Sequence, residues 1–207
     1  MRKQKVAWFL LGAVLPLVLA AIGGIVFVKT AANGFSARAQ PSNLESFAAR
    51  TARKLAYPDS ASLRQNPVAS SEEVLAEARA HWADHCASCH ANDGSGRDTI
   101  GENMYPPVPD MSKGHTQEMT DGELFYIIEN GIRLSGMPAW GTGSKQSEES
   151  SWKLVHFIRH LPKLSSAEVD EMKKLNPQSA HEMEEQKQEE EFLRGKAPSS
   201  THKHNQH

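Results

Sequence analysis

Cys86 and Cys89 are the only cysteines in 207 residues, and His90 follows the second directly. Two thiols and an imidazole in the pattern C-x-x-C-H form the attachment sequence for c-type haem. Each thiol can add to one vinyl group of the porphyrin, giving two thioether bonds. The short spacing then sets the next side chain under the iron, and imidazole is a standard proximal ligand. Other uses of these residues make different demands. A thioredoxin-like dithiol needs a βαβ context, whereas a helical pattern precedes Cys86. A structural zinc site wants a second cluster of Cys or His, and beyond the motif only scattered histidines remain. A plain disulfide or a chance match asks nothing of the rest of the chain, which here agrees with haem attachment.

The elements that must carry this motif are helical. Ser70-x-x-Glu73 has the form of a capping box, and it predicts a helix through His85 with Val74, Ala78, His81, Trp82 and His85 near one face. That helix leads straight into the cysteines. Asn92-Asp93-Gly94-Ser95-Gly96 is rich in turn formers. Tyr105-Pro106-Pro107-Val108-Pro109 fits neither a helix interior nor a central strand and predicts an extended loop. Thr120-x-x-Glu123 is a second capping box, opening a helix that Gly131 can stop. A loop through Met137 follows, then a helix from about Ser150 that ends before Pro162. Ser165-x-x-Glu168 opens one more, ended by Pro177. No internal repeat or β pattern is present.

Outside this region the composition changes. Arg2, Lys3 and Lys5 precede an uncharged run over residues 6–28, which as a helix would be about 34 Å long and long enough to cross a bilayer. Pro16 within it is tolerable in a membrane helix, and the basic residues ahead of it place the N-terminus in the cytoplasm. A cleaved signal peptide, cut after Ala37-Arg38-Ala39, is the competing reading, though the apolar run is long for that purpose. Residues 29–69 carry six Lys or Arg against two Asp or Glu. Within them Leu44, Phe47, Thr51 and Leu55 share one helical face, with Arg50, Arg53 and Lys54 elsewhere. Such a segment could lie on anionic headgroups, pack on the neighbouring domain, or act as a spacer. Residues 178–207 hold a Glu-rich block and end in His202, His204 and His207. They cannot bury a core alone. Neutral imidazoles there suit Cu, Ni or Zn, and a solvated tail is the other reading.

The order of helix, C-x-x-C-H, Pro-rich loop, helix, Met-containing loop and helix resembles a monohaem class I cytochrome c of the membrane-anchored bacterial type. The resemblance covers about residues 70–163. It rests on Cys86-Ala87-Ser88-Cys89-His90, on Asp121-Gly122-Glu123-Leu124-Phe125, on Gly131-Ile132-Arg133-Leu134-Ser135-Gly136-Met137-Pro138-Ala139-Trp140 and on Trp152-Lys153-Leu154-Val155-His156-Phe157-Ile158. It implies one covalent haem c held by Cys86 and Cys89, with His90 as proximal and Met137 as distal iron ligand. It implies that a proline carbonyl, Pro106 or Pro107, accepts a bond from His90 Nδ1–H, and that Trp140 or Arg97 meets a haem propionate. The Gly136-Met137-Pro138 turn favours Met137 over Met104, Met111 and Met119. His81, His85, His115, His156 and His160 are the other candidate ligands.

The expected fold is all-α: a class I cytochrome c domain with an N-terminal transmembrane helix and a helical, then disordered, C-terminal tail. The expected organisation is a cytoplasmic N-terminus at 1–5, an anchor at 6–28, a basic connector at 29–69, the haem domain at 70–163, a helix at 164–177 and the tail at 178–207. Eight Lys or Arg against fourteen Asp or Glu make residues 70–163 acidic, which excludes a basic nucleic-acid footprint. An iron with both axial positions filled exchanges one electron and has no place for substrate. The expected function is therefore electron carriage rather than enzyme catalysis, between redox proteins on the periplasmic side of a bacterial cytoplasmic membrane. The alternatives are a haem-based sensor and a metal-handling protein that uses the His-rich tail.

Overall fold

The computed structural model describes residues 2–30, 35–178 and 180–194, and among them there is no strand. The apolar N-terminal run forms α1 (Arg2–Thr30), whose 12–30 stretch is long and apolar enough to cross a membrane. After it comes α2 (Asn43–Ala56), capped where the Ser42 hydroxyl accepts from the Glu45 amide. A short helix, α3 (Asp59–Leu63), follows Pro58.

The helix before the cysteines, α4 (Glu72–His81), starts one residue later than the pattern suggested. Ser71, in extended conformation, is the N-cap and accepts from the Val74 amide, so the Ser70–Glu73 capping box is not formed. Nor does the α-helix continue to His85. It widens at Trp82–Cys86 into a π-helical turn and tightens again as α5 (Ala87–His90). Such π-turns insert a residue into the helical register and often occur at functional sites.

Beyond a 3₁₀ turn at Gly101–Asn103 come α6 (His115–Glu118) and α7 (Asp121–Asn130). The Thr120 box forms as expected: the hydroxyl accepts from the Glu123 amide and the Glu123 carboxylate accepts from the Thr120 amide. Helix α8 (Lys145–His160) begins some five residues before the expected start, capped by Ser144. Its first turns are polar and solvated, so they carry no apolar periodicity to announce them. A 3₁₀ turn at Leu161–Lys163 leads to α9 (Ser166–Lys173), which has the second full capping box at Ser165 and Glu168.

Within 178–207, the expected Glu-rich and His-rich tail, α10 (Ala180–Leu193) is helical. Glu, Gln and Lys have high helix propensity but leave no apolar stripe for a sequence pattern to find. His202, His204 and His207 lie outside the described residues.

The core forms where α8 crosses α4 and packs beside α7. Trp82, Val155, Phe157 and Met172 are fully buried there. Phe125 and Trp152 stack with ring centroids 4.1 Å apart, and the Arg64 guanidinium lies 4.3 Å over the Phe125 ring. Two ion pairs pin α4 from outside: Lys153 on α8 to Glu77 at 2.7 Å, and Arg79 to Glu168 on α9 at 3.1 Å.

Candidate haem-attachment site

Cys86 closes the π-turn and Cys89 lies one helical turn further on, both as free, half-buried thiols. Residues three apart on a helix share a face, so the thiols point to one side. Burial, helped by the neighbouring Cys89, pushes the Cys86 thiol up to about 12. That is opposite to the lowered thiol pKa on which a redox-active dithiol depends.

His90 ends α5. Its ring lies 5.5 Å from that of Trp82, which in turn lies 5.4 Å from the ring of Phe157. The Trp82 indole N–H donates to the Ala91 carbonyl at 3.0 Å, locking the turn after His90. Burial pushes the His90 imidazole down to about 4, so it is neutral at physiological pH. Its Nδ1 is buried with no hydrogen-bond partner. The bond from Nδ1 to a Pro106 or Pro107 carbonyl, implied by the family resemblance, is therefore not made here.

The loop after the motif closes tightly on it. The Gly96 amide donates to the His90 carbonyl at 2.9 Å, and the Met111 amide donates to the Gly94 carbonyl at 2.7 Å. Gly101 is packed against the motif itself, since a Cβ there would sit 2.2 Å from the Cys89 carbonyl oxygen.

The Met137 loop is held from both ends. The Ile132 amide donates to the Met137 carbonyl at 3.1 Å, and the Met137 amide donates to Ser135 Oγ at 3.2 Å. The Trp140 amide returns to the Ile128 carbonyl at 3.0 Å. Gly131, at φ 66°, reverses the chain where a Cβ would strike the Pro138 carbonyl carbon at 2.6 Å. The Trp140 ring meets the His85 ring edge-on at 5.6 Å, tying the loop to the turn that carries Cys86. Met137 is half-buried and Arg97 is exposed.

The rival ligands separate by their surroundings. Met119 is buried and Met111 packs against the core. His156 Nε2 lies 2.8 Å from the Val68 carbonyl, and His160 Nε2 lies 2.9 Å from Glu168. His115 is exposed. Met104 is different, because its side chain lies over Gly136 beside Met137. Among the described residues, no group of three or more His, Cys, Asp or Glu could hold a metal ion.

A family model described as cytochrome c oxidase, cbb3-type, subunit III, matches residues 73–158. Residues 73–158 are a class I cytochrome c domain. No curated protein matches the chain. The match runs from the start of α4 to the last turns of α8, so it contains the cysteine motif and the Met137 loop. The cofactor of this cytochrome c domain is one covalently attached haem c.

The residues present fit that group. A buried imidazole kept neutral and unpaired at Nδ1 is in the protonation state that ligates a metal. The two free thiols precede it at the attachment spacing.

The contact of Trp82 with His90 and the π-turn leave little trace in the sequence. Trp82 could be placed on the inner face of its helix by periodicity. Its contact with His90 depends on the register change at Trp82–Cys86, and that change has no sequence signature.

Proposed function

We propose that this protein is a membrane-held one-electron carrier in which Cys86 and Cys89 would hold haem c covalently and His90 and Met137 would ligate its iron. The observation that carries this reading is the neutral, buried His90 directly after two free thiols one helical turn apart. When bound, the haem iron supplies a reversible one-electron couple, and methionine ligation raises its potential.

The chain's own part is to bind, orient and exclude water. Trp82 fixes the ring of His90, and the Gly131–Trp140 segment presents Met137 from a loop pinned by backbone hydrogen bonds. The α4, α7 and α8 core keeps solvent from the site, and the acidic surface of residues 70–163 favours docking on a positively charged partner. Helix α1 holds the domain at the membrane, with Arg2, Lys3 and Lys5 inside and the domain on the periplasmic side of a bacterial cytoplasmic membrane. The description of the matched family accords with a place in, or beside, an oxidoreductase complex.

A redox titration followed by visible absorption tests this. Full-length protein should give one wave with a one-electron slope, and Met137→His should lower the midpoint. A midpoint unmoved by that substitution would remove Met137 from the site and leave Met104, its neighbour over Gly136, as the ligand to test.

A further inference from the structure

Helix α2 is seated on its domain by the wrong side for a helix buried by its apolar stripe. At 100° per residue, Leu44, Phe47, Ala48, Thr51 and Leu55 form one face. That face is turned outward: Leu44 is 76%, Phe47 64% and Leu55 82% exposed. The half-buried residues, Ser46, Arg53 and Tyr57, lie on the opposite side. There the Tyr57 ring meets Tyr126 at 5.3 Å, and the Tyr105 hydroxyl donates to the Glu45 carboxylate. Arg50 and Lys54, one turn apart, flank the apolar face beside Phe47 and are exposed.

What covers this face is indicated by where it stands in the chain and by its charge. Twelve residues separate Thr30 from Asn43, and that length reaches at most about 43 Å. A helix with a bulky apolar face flanked by basic residues is the pattern that lies in an anionic lipid interface. We propose that α2 lies flat on the membrane that holds α1, with Leu44, Phe47 and Leu55 in the headgroup boundary and Arg50 and Lys54 on anionic headgroups. This rests on the reading of α1 as a membrane anchor. Through Glu45 and Tyr105, α2 is joined to the proline-rich loop that follows Met104. Seating α2 on lipid therefore sets the height and tilt of the cytochrome c domain above the bilayer.

Amide hydrogen exchange of the full-length haem protein in lipid nanodiscs tests the proposal. Discs containing phosphatidylglycerol are compared with discs of phosphatidylcholine alone. Exchange across Asn43–Ala56 should be slower by about thirtyfold in the anionic discs, the scale that two basic side chains at about 1 kcal/mol each provide near such a surface. The protection should be lost in L44E/F47E/L55E and reduced in R50Q/K54Q, whose apolar face is intact. The other helices serve as the internal reference for folding. A chain that never enters the discs would overturn the anchor reading and this proposal with it. A chain that enters them and exchanges alike at α2 in both lipids would overturn this proposal alone, leaving the face to a protein partner. Protection that survives L44E/F47E/L55E would overturn it too, since the domain rather than lipid would then shield the helix.

Discussion

Taking His90 out of water holds its imidazole neutral, with a pKa of about 4, and neutral imidazole is the form that binds metal. The same burial raises the Cys86 thiol to about 12 and takes it away from thiolate chemistry. Cys86 and His90, four residues apart, thus carry shifts of opposite sign whose main cause is the same burial, and the raised thiol is the reverse of what a redox-active dithiol needs. The expected outcome is specific to the cysteines. Denatured wild-type protein should keep its haem on a gel and weigh one haem more than the bare chain. Cys86→Ala with Cys89→Ala should release the haem into acidified organic solvent. Release from the wild type would contradict thioether attachment. At this scale the motif was fully legible, because its chemistry lies in five consecutive residues. The unpartnered Nδ1 was not, because it depends on how a loop fifteen residues away folds.

Among the helices, the joint between α4 and α9 illustrates how local signals and tertiary contacts combine. Burial alone would raise the Glu168 carboxyl. Hydrogen bonds from the Ser165 amide and hydroxyl and from His160 outweigh it and hold the group down at about 2. Glu168 is thus a capping residue, and it also accepts from Arg79 on α4. A carboxylate whose pKa is lower in the folded chain stabilises above its unfolded value, near 4.5, and loses that contribution as pH falls toward 2. Glu168→Ala should cost about 1–2 kcal/mol at pH 7, from a lost cap and a lost charged hydrogen bond. The gap to wild type should shrink below about pH 3. Denaturant titrations of both proteins at the two pH values check this, and a gap independent of pH would contradict it. The Ser165 and Thr120 boxes were legible because each is a four-residue signal. Ser70 and Ser71 were not separable, since adjacent serines both fit a cap and only the extended backbone at Ser71 decides between them. The start of α8 and the whole of α10 were missed for a shared reason: a helix made by polar residues shows no apolar period.

For the molecule as a whole, charge and solvent exclusion decide how it meets a partner. Residues 70–163 are acidic, and α10 adds Glu184, Glu185, Glu189, Glu190 and Glu191. Long-range attraction to a cationic partner is screened by salt over about 8–10 Å at physiological strength. Stopped-flow reduction by a small cationic metal complex should therefore slow as salt is raised, and reduction by an anionic one should quicken. The reverse order would place a basic patch at the site of electron entry. The central claim, that the protein carries electrons and binds no exogenous ligand at its iron, has a more direct test in carbon monoxide. Added to the reduced full-length protein, it should leave the visible spectrum of the wild type unchanged, since the proposed ligation by His90 and Met137 would leave the iron no open position. Met137→Ala should bind it at once, with a clear shift of the main absorption band. An immediate shift in the wild type would contradict the carrier and point to a haem that senses gas.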